Sequence, residues 1–202
     1  MTSSTSPLHV RWLGSVPYTD ALAIQDSMFR HGTDNRLLLL EHPHVFTYGP
    51  SADLEKNLRC DPAAVGADFV AVKRGGDITY HGPGQLVAYA LIDLRRAGYF
   101  VKEYVYKLEE AIVRTLLHFG VTGFRVGGAP GVFVRRLDAN SHAVLPSRPM
   151  KHDTANAKPP PDFTGLAKIA ALGVKVSRHC TYHGVALNIH MDLSPFQHIN
   201  PC

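Results

Sequence analysis

A glycine-rich stretch from Arg74 to Gln85 carries the densest group of side chains able to bind a ligand. It reads RGGDITYHGPGQ, so a glycine turn lies on each side of a short β-prone segment. Glycine permits positive φ and lets a ligand approach the backbone closely. Two tight turns would explain the GG and GPG sequences by themselves. The arginine, histidine and glutamine beside them favour a binding loop, because binding groups tend to lie on loops that a rigid scaffold holds.

Three cysteines, Cys60, Cys180 and Cys202, are candidate nucleophiles. A thiolate is a strong nucleophile and needs only a lowered pKa to form at neutral pH. Cys180 lies at a predicted strand boundary, Cys60 lies in a predicted loop, and Cys202 is the last residue. The pattern alone leaves the choice among the three open. Their odd number and lack of framework spacing indicate a reducing compartment, which predicts the cytoplasm.

Several other classes of chemistry are not expected. The twelve histidines do not form an HExxH motif or the paired spacing of a zinc site, so no metal is predicted. Neither a phosphate-binding GxxxxGK[ST] loop nor the GxSxG of a serine hydrolase occurs. The net charge of +4 comes without dense runs of Lys and Arg, which argues against nucleic acid as a partner. No apolar run approaches the roughly 20 residues of a membrane span.

Hydrophobic patterning predicts the elements that must position these groups. Helices are expected at Pro17–His31 and at Tyr104–Phe119, the second with one apolar face along its whole length and Gly120 as its terminator. Asp53–Pro62 is predicted to be loop. Strands are expected at Leu8–Leu13, Arg36–Glu41, Phe69–Val72, Leu86–Leu94, Phe124–Val126, Gly131–Val134, Lys168–Val176 and Thr181–Ile189. Many strands with two clear helices predict an α+β layer, in which helices pack on a mixed or antiparallel sheet.

Length and composition predict one domain over residues 1–202, since 202 residues with 45% hydrophobic content can bury a sizeable core. Residues 1–7 lack the basic and apolar regions of a secretory signal and are expected to be a disordered tail. Residues 137–165 are polar, rich in proline and without periodicity. This second segment is predicted to be a disordered insert.

The segment Arg74–Tyr89, RGGDITYHGPGQLVAY, closely resembles the signature of the lipoyl/octanoyl transferases, the octanoyl-[acyl-carrier-protein]:protein N-octanoyltransferases. Five further segments resemble that family's blocks in its order, namely Glu41–Gly49, Ala129–Val134, Lys168–Arg178, Thr181–Ile189 and Met191–Cys202. Six blocks in register are far more specific than any one alone. The resemblance covers nearly the whole chain apart from the tail and the insert. It implies a single catalytic domain with the α+β fold of the biotin/lipoyl protein ligases.

The same resemblance implies roles for individual residues. Cys202 falls on the family's nucleophile and Lys168 on the lysine that accompanies it. His81 and His183 are expected to position substrate and backbone rather than to act as bases, and backbone N–H groups around Leu172–Gly173 form a candidate oxyanion site. The family's contacts with the acyl substrate fall on Arg74, Gly75, Gly76, Asp77, Ile78, Thr79, Tyr80, His81, Ala171, Leu172, Gly173, Gly184, Val185 and Ala186.

The implied activity is transfer of an octanoyl or lipoyl group through a thioester on the cysteine. Octanoyl acyl carrier protein is the implied donor. The implied acceptors are lysines on the lipoyl domains of 2-oxoacid dehydrogenase complexes and on the H protein of the glycine cleavage system. Such a transfer needs no ATP, no metal and no other cofactor. Two alternatives stay open: an ATP-dependent ligase of the lipoate or biotin type with the same fold, and a non-catalytic relative that only binds the acyl group.

The chain departs from the family at its end, because Cys202 is the last residue whereas the family continues with a glycine and further residues. Terminal residues fray unless they are tied down, and a free carboxylate beside the sulfur would oppose thiolate formation. From the sequence we therefore expect this form to be a weak transferase or a truncated version of a longer protein.

Overall fold

The computed structural model describes residues 7–31, 34–137 and 161–201. The strands within these ranges are β1 (Leu8–Ser15), β2 (Asn35–Glu41), β3 (Val45–Tyr48), β4 (Asp68–Ala71), β5 (Ile78–His81), β6 (Gln85–Leu91), β7 (Phe124–Val126), β8 (Ala129–Arg135), β9 (Leu166–Ser177) and β10 (Cys180–Asn188). The α-helices there are α1 (Tyr18–His31), α2 (Leu54–Asn57), α3 (Leu94–Ala97) and α4 (Val101–His118), and short 3-10 helices lie at Ala63–Val65 and Ser194–His198. None of the described helices is long and apolar enough to cross a membrane.

The chain divides into two compact units, the first formed by residues 1–98 and 173–202 and the second by residues 99–172. In the first unit, β1, β2, β6 and β10 lie side by side in that order, and the last residues of β9 follow β10. Strands β1 and β2 are parallel, whereas β2 with β6 and β6 with β10 are antiparallel. The larger sheet of this unit is therefore mixed, with β6 in its interior as its apolar run predicts.

Helix α1 covers one face of this sheet. Its Ala21 is buried in a core with Leu38, Leu40 and Val87 from the strands beneath, and half-buried Ile24 packs against that core. The helix predicted at Pro17–His31 is thus confirmed, with Tyr18 as its first residue. Each fully buried aliphatic side chain of this kind contributes about 1.5–3 kcal/mol to folding. Packing against the sheet, more than local propensity, holds the helix in place.

A second, three-stranded sheet in the first unit has the order β4-β3-β5, with β3 parallel to β4 and antiparallel to β5. Pro43 separates β2 from β3, because proline cannot donate to a sheet ladder. The core of this sheet contains Phe46, Ile78, Tyr80 and Ile199. The turn between β4 and β5 carries the beginning of the glycine-rich stretch, so this small sheet holds that stretch in place.

The second unit contains α4, the hairpin β7–β8 and the first residues of β9, with β8 antiparallel to both neighbouring strands. The hairpin turns at Gly127–Gly128, where Gly128 has a φ of 82° that favours glycine. Phe124, Ala129 and Phe133 form its buried core. Both predicted strands are confirmed.

Three local predictions are wrong. Asp53–Pro62 is not all loop, since α2 begins after Asp53, whose side chain accepts a hydrogen bond from the Lys56 N–H at 3.2 Å and caps the helix. The strand predicted to end at Leu94 ends at Leu91. Asp93 ends it by accepting from the N–H groups of Arg95 and Arg96, and Leu94 begins α3.

The third wrong prediction is the continuous apolar face of α4. Tyr104, Ile112 and Leu116 are buried as expected, but Phe119 is 74% exposed and Glu109 is fully buried. Phe119 lies beyond the last helical residue, so its side chain leaves the buried face. Glu109 tolerates burial because Arg125 pairs with its carboxylate at 3.3 Å and the Gly131 N–H donates to it.

The single domain, the disordered tail and the disordered insert stay predictions. Residues 1–6, and residues 138–160 of the insert, lie outside the described residues. The two ends of the insert do meet in the second unit. Arg135 pairs with Leu166, and the Arg136 N–H donates to the Gly165 carbonyl at 3.0 Å.

Candidate active site

The glycine-rich stretch occupies the turn before β5 and β5 itself. Arg74 to Asp77 form the turn, and residues Ile78 to His81 form the strand. The side chains of Ile78 and Tyr80 pack in the core of the small sheet, and Tyr80 hydroxyl contacts His44 Nδ1. These two predicted contact residues therefore fix the stretch with their side chains, and the Ile78 N–H is already bonded to Asp77 Oδ1, which leaves the half-buried Thr79 side chain between them for a ligand.

Close backbone approaches bring this turn against the second half of β9. A Cβ built on Gly173 would come within 3.0 Å of Arg74 Cδ and 3.4 Å of Gly75 O, and one on Gly49 would collide with Gly76 O. Glycine is therefore required at Gly49, whereas a side chain at Gly173 would force Arg74 to shift by a few tenths of an ångström. The first unit thus brings Gly173 against Arg74 and Gly75, and Gly49 against Gly76, although the two partners of each contact are far apart in the sequence. Predicted contacts Ala171 and Leu172 precede Gly173 on β9, where both are half-buried.

The third predicted block lies on β10, where Gly184, Val185 and Ala186 pair with the interior strand β6. A Cβ on Gly184 would collide with the Ala88 carbonyl, so glycine is required there as well. Val185 and Ala186 are each 6% exposed, and Ala186 belongs to the core under α1. Their side chains are used for packing.

Beside these blocks the first unit buries a group of polar side chains that we call the polar cluster. Its members are Tyr18, Gln25, His42, Thr47, Arg74, His81, Gln85, Tyr89 and His183. His42 Nδ1 donates to the Val16 carbonyl at 2.6 Å, which leaves its Nε2 to accept from the Tyr89 hydroxyl at 2.7 Å. His81 Nδ1 donates to Gln85 Oε1 at 2.7 Å. These hydrogen bonds fix the His42 and His81 rings and satisfy the nitrogen atoms that make them, as is usual for buried polar groups.

Arg74 provides the permanent positive charge of the polar cluster and is 8% exposed. Its Nη2 donates to the Thr47 carbonyl at 2.9 Å and to the Thr47 hydroxyl at 3.0 Å, and its Nη1 donates to the Gly75 carbonyl at 3.0 Å. Guanidinium stays charged inside proteins and binds through a rigid fork of donors. The small sheet therefore presents a fixed cation next to the glycine turn.

His183 has an unusual backbone. Its φ is 58°, which a residue with a side chain rarely adopts, and its N–H donates to Gln25 Oε1 of α1 at 2.8 Å. Its ring contacts the Tyr89 ring edge-on, and its Nδ1 lies 3.5 Å from the Tyr18 hydroxyl. Strained residues of this kind persist only where the surroundings determine them, and they cluster at functional sites.

The three histidines of the polar cluster are held in the neutral form. Burial, reinforced by the repulsion that a protonated His42 or His183 would exert and by the Arg74 charge, lowers the pKa of His81 to about 3. Burial and the Arg74 charge lower the pKa of His183 to about 4, and burial also lowers the pKa of His42. Such low pKa values make these rings poor bases at neutral pH, which agrees with the positioning roles expected for His81 and His183.

Neutral burial of these histidines predicts a marked acid sensitivity. The unfolded chain takes up protons near the ordinary histidine pKa of about 6.5, whereas the folded chain takes them up only near pH 3–4. The free energy of unfolding should therefore fall as the pH drops from about 6.5 to 4, by up to about 1.4 kcal/mol per pH unit for each such histidine. Urea unfolding at a series of pH values measures this slope. In His183→Asn the slope should be shallower, and parallel curves for the two proteins would contradict the assignment.

Lys168 lies in the second unit, half-buried on β9. It pairs with Phe133, while Val132 pairs with Ala170, so Ile169 is an extra residue that forms a β-bulge. Bulges often re-aim a neighbouring side chain near functional sites. Lys168 Nζ lies 5.4 Å from the centre of the Phe133 ring, a favourable cation–π distance. A Cβ on Gly131 would come within 3.3 Å of Lys168 Cε, so the bare glycine makes room for the lysine stem.

The thiols of Cys60 and Cys180 are poorly suited to act as nucleophiles. Burial and the neighbouring Asp61 raise the pKa of Cys60, and burial and Asp93 raise the pKa of Cys180. A raised pKa leaves less thiolate at neutral pH. Cys202 lies outside the described residues, so its predicted role rests on the sequence.

Sequence reasoning missed five members of the polar cluster: Tyr18, Gln25, His42, Thr47 and Tyr89. A signal existed for Gln25, since it lies four residues after Ala21 on the buried side of α1. A polar residue on a buried helical stripe is a candidate for a specific hydrogen bond. Tyr18 looks like an ordinary first-turn residue of α1, and the other three look like ordinary β-strand or loop residues, until the fold brings them together.

Comparison with solved structures identifies the fold. A bipartite lipoate protein ligase from Thermoplasma acidophilum superposes with a TM-score of 0.66 over 96% of this chain and 66% of its own, at 16% identity. This chain thus spans just under two thirds of that protein. A lipoate-protein ligase A bound with ATP gives a TM-score of 0.63 over 96% of this chain and 71% of its own, also at 16% identity. The fold is the α+β fold of the lipoate-protein ligases, as the sequence predicted.

Sequence comparison shows the family to which the chain belongs. A family model described as the lipoyl protein ligase A/B catalytic domain matches residues 17–202. Octanoyltransferases of Albidiferax ferrireducens and Verminephrobacter eiseniae are 54% and 55% identical over 93% and 96% of this chain, and the chain covers 78% and 83% of their lengths. The chain belongs to the lipoyl protein ligase A/B family and is an acyltransferase of protein lipoylation.

Proposed function

We propose that the protein transfers an octanoyl group from octanoyl acyl carrier protein to a lysine of a lipoyl domain, through a thioester on Cys202. The observation that carries this proposal is the contact of Arg74 and Gly75 with Gly173 in the first unit, where His81 and His183 are buried within reach of the Arg74 charge. Backbone that is bare of side chains, beside a fixed guanidinium and neutral rings, suits an uncharged acyl thioester. Curated relatives named octanoyltransferases support the choice of acyl group.

In the first half-reaction, the Cys202 thiolate attacks the carbonyl carbon of the octanoyl thioester. A new carbon–sulfur bond forms and the bond to the carrier sulfur breaks. The leaving thiolate takes a proton from the Lys168 ammonium, so the carrier departs as a thiol and Lys168 becomes a neutral amine. Until then the ammonium stabilises the Cys202 thiolate by its charge. N–H groups near Leu172–Gly173 stabilise the oxyanion of the tetrahedral intermediate.

In the second half-reaction, the acceptor lysine attacks the Cys202 thioester as a neutral amine. An amide bond forms, the carbon–sulfur bond breaks and Cys202 returns as a thiolate. The neutral Lys168 amine takes the proton that the attacking nitrogen loses, which restores the starting ammonium. Charge and protons balance over the cycle, and the energy comes from the donor thioester. The proposal therefore includes no ATP, metal or other cofactor.

We further propose that the acceptors are the lipoyl domains of 2-oxoacid dehydrogenase complexes and the glycine cleavage H protein, and that the reaction takes place in the cytoplasm. Membership of a lipoylation family supports lipoyl domains as the class of acceptor. The cysteine usage of the sequence supports a reducing compartment.

Transfer without ATP tests the proposed function. Purified protein, octanoyl acyl carrier protein and an apo lipoyl domain are mixed with and without ATP and Mg²⁺, and octanoyl-lysine is measured by mass spectrometry. Equal transfer in both mixtures is expected. Transfer from free octanoate that requires ATP would instead identify a ligase, and bound octanoyl without any transfer would identify a non-catalytic acyl-binding protein.

The segment between β8 and β9 should be dispensable for this reaction. Because Arg136 and Gly165 already meet by a backbone hydrogen bond, replacing residues 138–160 with a short Gly/Ser linker changes only the length of a closed loop. Loop-closure free energy varies slowly with length, so the transfer rate should stay within about twofold and the melting temperature within a few degrees. A collapse of the transfer rate at an unchanged melting temperature would show instead that the segment contacts a substrate.

A further inference from the structure

The chain segment that leads to Cys202 is hydrogen-bonded to the end of α2 and to the two residues that follow it in the first unit. The Arg59 N–H donates to the His198 carbonyl at 2.8 Å, and Leu58 forms a β-bridge with Ile199. The Asn200 N–H donates to the Asn57 carbonyl, also at 2.8 Å. Ile199 is 2% exposed and belongs to the core of the small sheet. The backbone is therefore fixed up to Asn200, two residues before Cys202.

Asn57 joins this segment to the glycine-rich stretch. It is the last residue of α2 and is 6% exposed. Its Oδ1 accepts from Asn200 Nδ2 at 3.2 Å, and its Nδ2 donates to Asp77 Oδ2 at 2.6 Å. Asp77 Oδ1 in turn accepts from the Ile78 N–H at 2.7 Å at the start of β5. A short path of hydrogen bonds thus runs from β5 through Asp77 and Asn57 to Asn200.

We propose that Asn57 and Asp77 are positioning residues that hold the Cys202 segment in register with the glycine-rich stretch. This inference rests on the proposed function of Cys202. It also assigns Asp77 a role different from the acyl contact that the sequence resemblance implies, since its carboxylate is used to orient Asn57. Two residues span at most about 7 Å, so a fixed Asn200 restricts where the nucleophile can lie.

The energetics favour a positioning role over simple packing. A nucleophile displaced by about 1 Å can lose on the order of 100-fold in rate. Charge-assisted hydrogen bonds such as that from Asn57 to Asp77 are about twice as strong as neutral ones and are directional. Because Asn57 uses its carbonyl, its Oδ1 and its Nδ2 at once, a side chain of different chemistry cannot keep all of these contacts.

Exchanging the Asn57 amide and the Asp77 carboxylate between the two positions provides a sharp test. Asn57→Asp places a carboxylate against that of Asp77, which should push the Asn200 segment away. The double variant Asn57→Asp with Asp77→Asn restores a donor opposite an acceptor. The two hydrogen bonds from Asn200, the one between positions 57 and 77, and the one from the Ile78 N–H can then all form again. Lys56→Gln is the matched control, because it makes the same charge change at the adjacent, exposed position of α2.

Three rates are measured for each protein: acylation by octanoyl acyl carrier protein, alkylation of Cys202 by iodoacetamide at a pH where the thiol is ionised, and hydrogen exchange in the peptide that ends at Pro201. For Asn57→Asp we expect acylation to be about 10- to 100-fold slower, exchange to be faster, and alkylation to be unchanged, since a small reagent needs no fixed geometry. Acylation should recover to within about threefold in the double variant and stay normal in Lys56→Gln.

The outcomes separate the two proposals. Wild-type protein that forms no acyl-enzyme would overturn the proposed function. Wild-type protein that forms it, with Asn57→Asp acylated equally fast or with no recovery in the double variant, would overturn the positioning role. A loss of acylation and alkylation together would indicate general damage to the fold and would overturn it as well.

Discussion

Replacement of Cys202 by serine should abolish transfer, with a loss of at least about 10³-fold in rate, the scale observed when a covalent nucleophile is removed. A serine hydroxyl is far more basic than a thiol, and one neighbouring ammonium cannot ionise it at neutral pH. The measurement is the initial rate of octanoyl transfer from acyl carrier protein to a lipoyl domain. Serine is close to cysteine in size, so the melting temperature should barely change.

Cys60→Ser and Cys180→Ser are the matched controls for this variant. Burial and nearby carboxylates raise the pKa of both thiols, so neither should form enough thiolate to carry the reaction. Both control proteins should keep near-wild-type transfer. If Cys202→Ser stays active while either control loses transfer, the nucleophile has been assigned to the wrong cysteine.

Replacement of Lys168 by alanine should slow acylation by about tenfold at pH 7. Without the ammonium the pKa of Cys202 rises, and a rise of two units from a starting pKa above 7 lowers the thiolate fraction at pH 7 about 100-fold. The remaining thiolate is more basic and roughly six- to tenfold more nucleophilic, which offsets part of that loss. The rate of iodoacetamide alkylation against pH should shift to higher pH by the same change in pKa.

Two further variants make the lysine experiment specific. Lys168→Arg keeps a positive charge but cannot act as a neutral amine, so it should restore thiolate formation without restoring the second half-reaction. Lys107→Ala removes an exposed ammonium on α4 of the same unit. It should leave both the acylation rate and the dependence of alkylation on pH unchanged. An alkylation profile in Lys168→Ala that matches the wild type would remove Lys168 from the mechanism.

Regular elements were predictable because their causes are local. The apolar run after Gln85 predicted an interior strand, and the spacing of apolar residues after Pro17 predicted a helix, as β6 and α1 confirm. Errors occurred where a single side chain decided the local structure. Asp53 and Asp93 each begin a one-turn helix by capping it, and such short helices have too few residues to show periodicity.

Buried polar residues were the least predictable part of the site. Gln25 and Glu109 occupy helical positions where the periodicity predicts apolar side chains, and each is buried because a partner far away in sequence satisfies it. Those partners, the His183 N–H and Gly131 N–H, depend on long-range folding that no local pattern encodes. In contrast, motif resemblance identified Arg74 and Gly173 before the structure brought them together.

The central claim is a covalent octanoyl-enzyme on Cys202, and its direct test is intact-mass spectrometry after brief mixing with octanoyl acyl carrier protein, followed by peptide mapping. We predict one octanoyl group per chain, located on Cys202 and released when an apo lipoyl domain is added. An unmodified chain that still transfers octanoate, or an octanoyl group on Cys60 or Cys180, would contradict the account.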